Sequence, residues 1–372
     1  MKQKKLVYIV SEVNKSLHFE WIASSLKENY QLLFILIGAP KSELEKFLKN
    51  QDIVTYSLAY KNKIDSIKAW IKVFRILFFN RPDIVHTHLW VANLVGLTVA
   101  YILRIKKRIY TRHHATIHYD LYPSGLKWDK LNNFLATDII AISKNIELIL
   151  TQWDNAKRDK VVLIPHGFEM SYFQNVNIDR IEVIREKYQL SKDRHPIIGV
   201  ISRFTEWKGI QFIIPAYKKI LSAFPESQLI LANAHGDYEE EINELLKTLP
   251  SSSHVKIKFE NDLAALYHVF DIFIHVPVNS HAEAFGQIYV ESLAVGIPSV
   301  FTLSGIASEF IRHEENALVV DFENEVQIYD SVYRLIVDQR LRKKITTNGL
   351  NSVSQFSFEK YTDNLNKLYL GV

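Results

Sequence analysis

The sequence predicts an α/β protein made of two doubly wound parallel-sheet domains of similar size. Three observations carry this expectation. First, 372 residues are more than one hydrophobic core usually holds, so two domains are the prior. Second, short apolar, β-branched runs alternate throughout with longer segments of helical period, which implies parallel sheets covered by helices on both faces. Third, the series stops at a polar stretch near mid-chain and then restarts.

Strands are expected at 6–10, 32–37, 53–56, 84–88, 108–111, 138–142 and 161–164, then at 197–201, 228–232, 255–259, 271–275, 298–302 and 317–320. Helical patterns between them include 19–29, 64–78, 93–103, 210–223 and 262–269. The joint falls between 164 and 197, in a stretch that opens with Pro165-His166-Gly167 and ends in Ser191-Lys192-Asp193-Arg194-His195-Pro196. The domains are therefore expected at 1–170 and 171–357. Open sheets bind ligands at the carboxyl ends of their strands, so chemistry is expected in an interdomain cleft.

Composition narrows the function. Apolar residues make up 48% and charged residues 23%, close to globular averages and unlike a disordered or fibrous chain. With no cysteine, a disulfide scaffold, a thiolate zinc site, an iron–sulfur cluster and a cysteine nucleophile are all excluded. The composition suits a reducing cytoplasm. A net charge of +4 and a pI of about 8.8 favour anionic small molecules or an acidic membrane surface, and fall short of what nucleic acid demands. The basic N-terminus precedes only five apolar residues (6–10), whereas a secretory core needs roughly 7–15. That run reads as the first strand. The longest uncharged stretch, 91–103, is shorter than the roughly 20 residues that cross a bilayer. The expectation is a soluble chain, attached to a membrane at most peripherally.

Two segments carry the chemistry. In Gly199-Val200-Ile201-Ser202-Arg203-Phe204-Thr205-Glu206-Trp207-Lys208-Gly209, a strand passes through a loop into a helix. Arg203 supplies a fork of donors and Lys208 a compact charge, a pair suited to a diphosphate. Two solvated surface cations would read the same way. In Glu283-Ala284-Phe285-Gly286-Gln287-Ile288-Tyr289-Val290-Glu291, Gly286 stands where a helix should begin and lets backbone N–H groups approach an anion. Glu291 then falls in the second turn. Carboxylates accept paired hydrogen bonds from vicinal hydroxyls, but acids near a helix N-terminus are also favoured by its dipole alone.

Taken together, these segments resemble the retaining glycosyltransferases of family 4, which have the GT-B fold of two facing Rossmann-like domains. The resemblance covers nearly the whole chain. Pro82-Asp83-Ile84-Val85-His86-Thr87-His88 is similar to the family's Pro-Asp-x-Val-His-x-His strand, Thr111-Arg112-His113 to its Thr-x-His segment, and Ile164-Pro165-His166-Gly167-Phe168 to its interdomain turn. The specific element is the Glu-x7-Glu pair, Glu283 and Glu291, with Phe285-Gly286 inside it and Gly296-x-Pro298 after it. The resemblance implies that Arg203 and Lys208 hold the donor diphosphate, that Glu291 binds ribose hydroxyls and that Glu283 lies by the donor sugar. It further implies that backbone amides at Phe285, Gly286 and Gln287 face the donor and that His113 reaches the reacting sugar. The base is expected against Glu260-Asn261-Asp262. The last helix, about 358–372, is expected to cross back to the first domain.

The implied reaction is a metal-independent retaining transfer from a UDP- or GDP-sugar to a glycan or lipid-linked acceptor, in bacterial surface polysaccharide synthesis. Cationic side chains stabilise the departing diphosphate, in keeping with the lack of an Asp-x-Asp motif; no cofactor or metal is expected. One departure concerns the loop after the first strand. Relatives often carry Gly-Gly there, but here it reads Ser11-Glu12-Val13-Asn14-Lys15-Ser16-Leu17-His18. Lys15, His18 and His114 are therefore the acceptor-side candidates, although His18 reads equally well as the start of a helix.

His86 and His88 read as satisfied core groups, and no carboxylate at ligand spacing completes a metal set with the histidines at 113, 114 and 118. Tyr119, Tyr122 and Trp128 either stack on an acceptor sugar or simply pack. The 64–78 helix has Trp70, Phe74, Leu77 and Phe78 on one face and Lys68, Lys72 and Arg75 elsewhere. With basic residues at 104–108, it leaves room for weak attachment to the inner face of a membrane. Rival readings are a sugar-nucleotide 2-epimerase on the same fold and a non-catalytic sugar-nucleotide-binding protein. A nicotinamide dehydrogenase is disfavoured because no Gly-x-Gly-x-x-Gly follows the first strand.

Overall fold

The computed structural model describes residues 3–371. It divides into two compact units, Met1–Phe168 with Phe358–Val372, and Glu169–Ser357. Each is a Rossmann-like domain around one parallel sheet.

The first unit holds seven parallel strands: β1 (Lys5–Ser11), β2 (Gln31–Gly38), β3 (Val54–Ala59), β4 (Ile84–His88), β5 (Lys107–Arg112), β6 (Asp138–Ala141) and β7 (Val161–Leu163). Their order is β3-β2-β1-β4-β5-β6-β7. β1 reads KLVYIVS and is buried from Leu6 to Ser11, the near-continuous apolar run of a strand covered on both faces. α1 (Leu17–Leu26) and α2 (Glu43–Asn50) carry the chain outward to β2 and β3. Each begins at a serine whose hydroxyl accepts an N–H of the first turn, Ser16 from Phe19 and Ser42 from Glu45, and so satisfies an otherwise orphaned donor. α3 (Lys63–Asn80) then returns the chain to β4, and α4 (Trp90–Ile102) leads on to β5. α5 (Ile117–Asp120) and α6 (Leu126–Leu135) precede β6. Right-handed crossovers put α1 and α2 on one face and α3 and α4 on the other. The direction of winding reverses between β1 and β4, leaving a crevice at their carboxyl ends. The last helix, Phe358–Leu370, packs on α1. Its Tyr369 hydroxyl meets His86 Nδ1 at 2.7 Å and also bonds the Tyr8 hydroxyl.

The second unit holds six parallel strands: β8 (Ile197–Ile201), β9 (Gln228–Ala232), β10 (His254–Ile257), β11 (Ile272–His275), β12 (Ser299–Phe301) and β13 (Leu318–Val319). Their order is β10-β9-β8-β11-β12-β13, so the reversal lies between β8 and β11. The helix Ile210–Ala223 turns Ile210, Ile213, Ile214 and Tyr217 into the core against Val200, Leu229 and Ile274. Two expected elements shrink. The 255–259 strand ends at Ile257, and the 262–269 helix is one short turn, Leu263–Tyr267, capped by Asp262. Phe259 is exposed, so nothing rewards extending that edge strand.

In β8, a Cβ added at Gly199 would lie 2.1 Å from a ring carbon of Phe270. Gly199→Ala must displace that ring from a close-packed core. It should lower the unfolding free energy by roughly 1–3 kcal/mol, read as a lower urea midpoint at unchanged slope.

Candidate active site

In the second unit, the loops after β8 and β11 meet at the reversal of winding. Gly209 joins them: its φ is +75°, and a Cβ there would stand 1.9 Å from the Val276 carbonyl oxygen. Val278 N donates to the Trp207 carbonyl at 3.1 Å. This clasp brings Lys208 and Glu283, 75 residues apart in sequence, into an ion pair of 2.5 Å between Nζ and Oε1. The same Oε1 lies 3.0 Å from His275 Nε2, at the end of β11. The Glu283 backbone N–H donates to Ser304 Oγ at 3.0 Å. Burial pushes the Glu283 carboxyl up, but the Lys208 ammonium and the His275 hydrogen bond outweigh it and hold the pKa at about 2. Glu283 is therefore a permanent anion.

The other expected donor residues lie on the loop after β8 and on the loop and helix that follow β11. Arg203, in the loop after β8, is exposed and has no side-chain partner among the described residues. Gly286, at φ +84°, heads the helix Gln287–Val295, whose first turn has no side-chain cap. Phe285 is buried, and its carbonyl accepts from Ile306 N at 2.9 Å. Gln287 is exposed. Glu291 lies in the second turn and accepts the Tyr267 hydroxyl at 2.9 Å. Burial raises its pKa to about 7. The segment at 260–262 is engaged structurally: Glu260 holds Lys187 at 2.7 Å and the Tyr188 hydroxyl at 2.6 Å, while Asp262 pairs with Arg180 through two bonds of 2.8 and 2.6 Å. His275 was missed from the sequence, because a histidine ending an apolar strand carries no signal until its neighbour across the loop is known.

The first unit has a cavity of about 990 Å³ where the carboxyl ends of β1, β4 and β5 converge. Its lining includes Glu12, Trp90, His113, His114, Tyr122 and Trp128. It includes neither Lys15 nor His18. Lys15 reaches 3.9 Å from Glu43. His18 is the second residue of α1, 3.2 Å from the Tyr361 hydroxyl, with its ring edge-on to His166. Tyr119 packs on Trp153 and donates to Asp154 at 2.7 Å, whereas Tyr122 is 60% exposed at the cavity.

His113 is oriented from below. Its Nε2 lies 3.0 Å from His88 Nδ1, and His88 Nε2 is buried with no partner. An unpaired buried N–H costs more than an unpaired lone pair, so the proton belongs on His88 Nδ1, donating to His113 Nε2. His113 then carries its own proton on Nδ1 and is a neutral hydrogen-bond donor. Burial, with His18 and His114 nearby, lowers its pKa to about 3. His86 is satisfied on both nitrogens, by Tyr369 and by Thr111 Oγ1 at 2.9 Å.

The tertiary structure supplies a carboxylate that sequence spacing did not. Asp129, from α6, lies 2.6 Å from His118 Nδ1 and 3.3 Å from His114 Nε2, and the three side chains form a group of metal-ligand type. The Arg112 guanidinium stands 3.0 Å from Asp129 and 3.4 Å from Asp154, all three almost fully buried. A cation entering beside Asp129 would meet that positive charge at contact distance. The group fits a neutralised ion-pair network better than a metal seat.

Two Rossmann-like domains, one with a cation–carboxylate pair beside an uncapped helix start, define the GT-B glycosyltransferase class. Residues 26–172 match the model of Glycosyltransferase Family 4, and residues 181–352 that of Glycosyl transferases group 1. The chain belongs to this glycosyltransferase family. Among relatives, the capsular polysaccharide biosynthesis glycosyltransferase CapM of Staphylococcus aureus is 23% identical over 99% of this chain and 97% of its own. An uncharacterized glycosyltransferase of Methanocaldococcus jannaschii is 28% identical over 80% and 76%. Among solved structures, Anabaena HepE in complex with UDP and glucose superposes with a TM-score of 0.85 at 19% identity, covering all of both chains. A glycosyltransferase from Rickettsia africae gives 0.81 at 22%, covering 100% and 99%.

The buried histidines make the first unit acid-sensitive. Burial lowers His18 and His114 to about 4 and His113 to about 3, and holds His86, His88 and His166 well below the usual histidine range. The unfolded chain binds these protons near pH 6.5, before the native state does, so stability is full above that value and drains as pH falls towards 4. Each such group costs up to about 1.4 kcal/mol per pH unit. The urea midpoint should drop steeply from pH 7.5 to 5.5, and replacing His18 by Gln should flatten that slope.

Proposed function

We propose that the chain moves a sugar from a nucleotide-diphosphate donor, a UDP- or GDP-sugar, to a glycan or lipid-linked acceptor, with retention at the anomeric carbon and without a metal ion. Surface polysaccharide synthesis is the setting this reading favours, in line with the capsular polysaccharide biosynthesis of CapM. HepE, whose structure holds UDP and glucose, supports the donor class. One observation carries the proposal: Lys208 and Glu283 are locked together at the β8–β11 reversal, below the open amino end of the helix Gln287–Val295.

In this reading the donor diphosphate lies on the Gln287–Val295 amino end, with Lys208 and the unpartnered Arg203 beside it. As the bond to the anomeric carbon lengthens, negative charge builds on the diphosphate. Lys208, Arg203 and the backbone N–H groups at Gly286 and Gln287 stabilise it with no reorganisation. Lys208 spends one of its three donors on Glu283 and keeps two for phosphate oxygens. The Glu283 anion faces the positive charge growing on the sugar ring. Glu291 takes the ribose hydroxyls. The acceptor enters the aromatic cavity of the first unit, where Trp90, Tyr122 and Trp128 offer ring faces and neutral His113 donates a hydrogen bond.

Lys208→Ala and Glu283→Ala should each cut turnover at least a hundredfold while far-UV circular dichroism stays unchanged. Normal turnover by both, with a verified donor, would remove the site. Glu291 accepts hydroxyl donors best as a carboxylate, so donor affinity should rise with pH through about 7; Glu291→Gln should remove that pH dependence in calorimetry. Product analysis separates the rivals. An epimerase converts its donor with no acceptor present, and a silent binding protein yields neither transfer nor donor hydrolysis.

A further inference from the structure

The loop after β1 sends one side chain to the cavity of the first unit, and it is none of those expected from the sequence. Glu12 lines the cavity and is exposed. Among the described residues its carboxylate has no ion pair and no side-chain hydrogen bond. The backbone is strained to hold it there. Glu12 has φ +57°, in the left-handed region that glycine occupies without steric cost, and its N–H is fixed by the Ile37 carbonyl at 2.8 Å. At the end of the neighbouring strand, Leu89 is held at φ +71° and ψ 167°, a conformation almost confined to glycine. Leu89 lines the same cavity, and β1 and β4 are the strands between which the winding reverses. Two non-glycine residues at positive φ on one cavity mark a place where function overrides backbone preference.

Strand register sets what stands opposite Glu12. Val10, His88 and Thr111 are level across β1, β4 and β5. Glu12, Trp90 and His113 each stand two residues beyond that rung, and all three line the cavity. With β4 between them, the Glu12 and His113 positions are two strand spacings apart, roughly 10 Å. One pyranose ring, hydrogen-bonded at both edges, fills such a gap, with the Trp90 indole between the two ends.

The rest of the lining has little to hold an anion. Lys127 is the only lysine or arginine among the described lining residues, and its ammonium sits over the Trp128 ring at 5.1 Å. His113 and His114 are kept neutral by burial. The neighbouring Arg112 guanidinium is held by Asp129 and Asp154. A phosphate or carboxylate in the cavity would meet the Glu12 charge with no arginine fork to receive it.

We infer that Glu12 selects the acceptor: its carboxylate accepts hydroxyl hydrogen bonds from an uncharged terminal sugar and repels a sugar that bears phosphate or carboxylate. The inference rests on the reading of this cavity as the acceptor seat, and narrows that acceptor to a neutral pyranose. Glu12 accepts at one edge of the ring and the neutral His113 donates at the other. A lipid-linked acceptor then presents its terminal sugar and keeps its diphosphate outside the cavity.

The test measures binding of simple sugars to the full chain by saturation-transfer NMR. The probes are the methyl glycosides of glucose, galactose, mannose and N-acetylglucosamine, each paired with its 6-phosphate. At least one glycoside should bind, and its phosphate should bind about tenfold more weakly or worse. Glu12→Gln keeps an accepting oxygen and removes the charge, so it should lose most of that discrimination. Glu12→Gly removes the side chain and relieves the backbone. It should bind the glycoside about tenfold more weakly while its urea midpoint rises, a divergence that a merely structural Glu12 would not produce. Any of four results overturns the inference: no neutral glycoside bound, equal binding of glycoside and phosphate by the parent, unchanged discrimination in Glu12→Gln, or parental glycoside affinity in Glu12→Gly. Failure of the transfer reading shows elsewhere: normal turnover by Lys208→Ala removes the donor seat and leaves the glycoside comparison standing.

Discussion

A buried carboxylate facing a buried ammonium is the constraint on which the second unit's chemistry depends. Taking Glu283 out of water is costly by itself, and the Lys208 ammonium and the His275 ring keep it charged. Removing one member of such a pair typically costs 3–5 kcal/mol, because the other is left uncompensated. The pair therefore fixes both loops at once. Gly209 makes this possible, since no side chain fits against the Val276 carbonyl.

The first unit solves a similar problem with different groups. Arg112 is almost completely buried and is neutralised by two acids, Asp129 from α6 and Asp154. Around it stand His114 and His118, and a short step away the His88–His113 pair. His88, His113 and His114 remain neutral because burial penalises their charged forms. A neutral, oriented His113 is suited to donating a hydrogen bond and poorly suited to taking a proton.

Much of this was legible in the chain. All thirteen strands were visible as runs rich in apolar β-branched residues, because strands of a sheet covered on both faces admit polar residues only where these find partners, as His86 does in β4. β4 and β8 match to the residue, and edge strands such as β13 do not, since half-covered edges lose the apolar signal at their ends. Gly286 and the Glu283–Glu291 spacing located the helix start beside the pair. Asp129 was invisible as a partner of His114 and His118, because α6 approaches that loop only after the chain has folded. Lys15 and His18 read as acceptor-side candidates, with His18 equally a helix start; the fold puts His18 in the first turn of α1 against Tyr361 and His166, and Lys15 towards Glu43.

The sequence by itself determined the number of domains, the alternation of strands and helices, and the motifs that resemble family 4. Those features are local: apolar periodicity, glycine at a positive φ and residue spacing along one element. Only the tertiary structure decided which charges are paired, which histidines are neutral and which side chain of the loop after β1 lines the cavity. These depend on burial and on distances between residues far apart in the chain, where the dielectric and the neighbour set the energy.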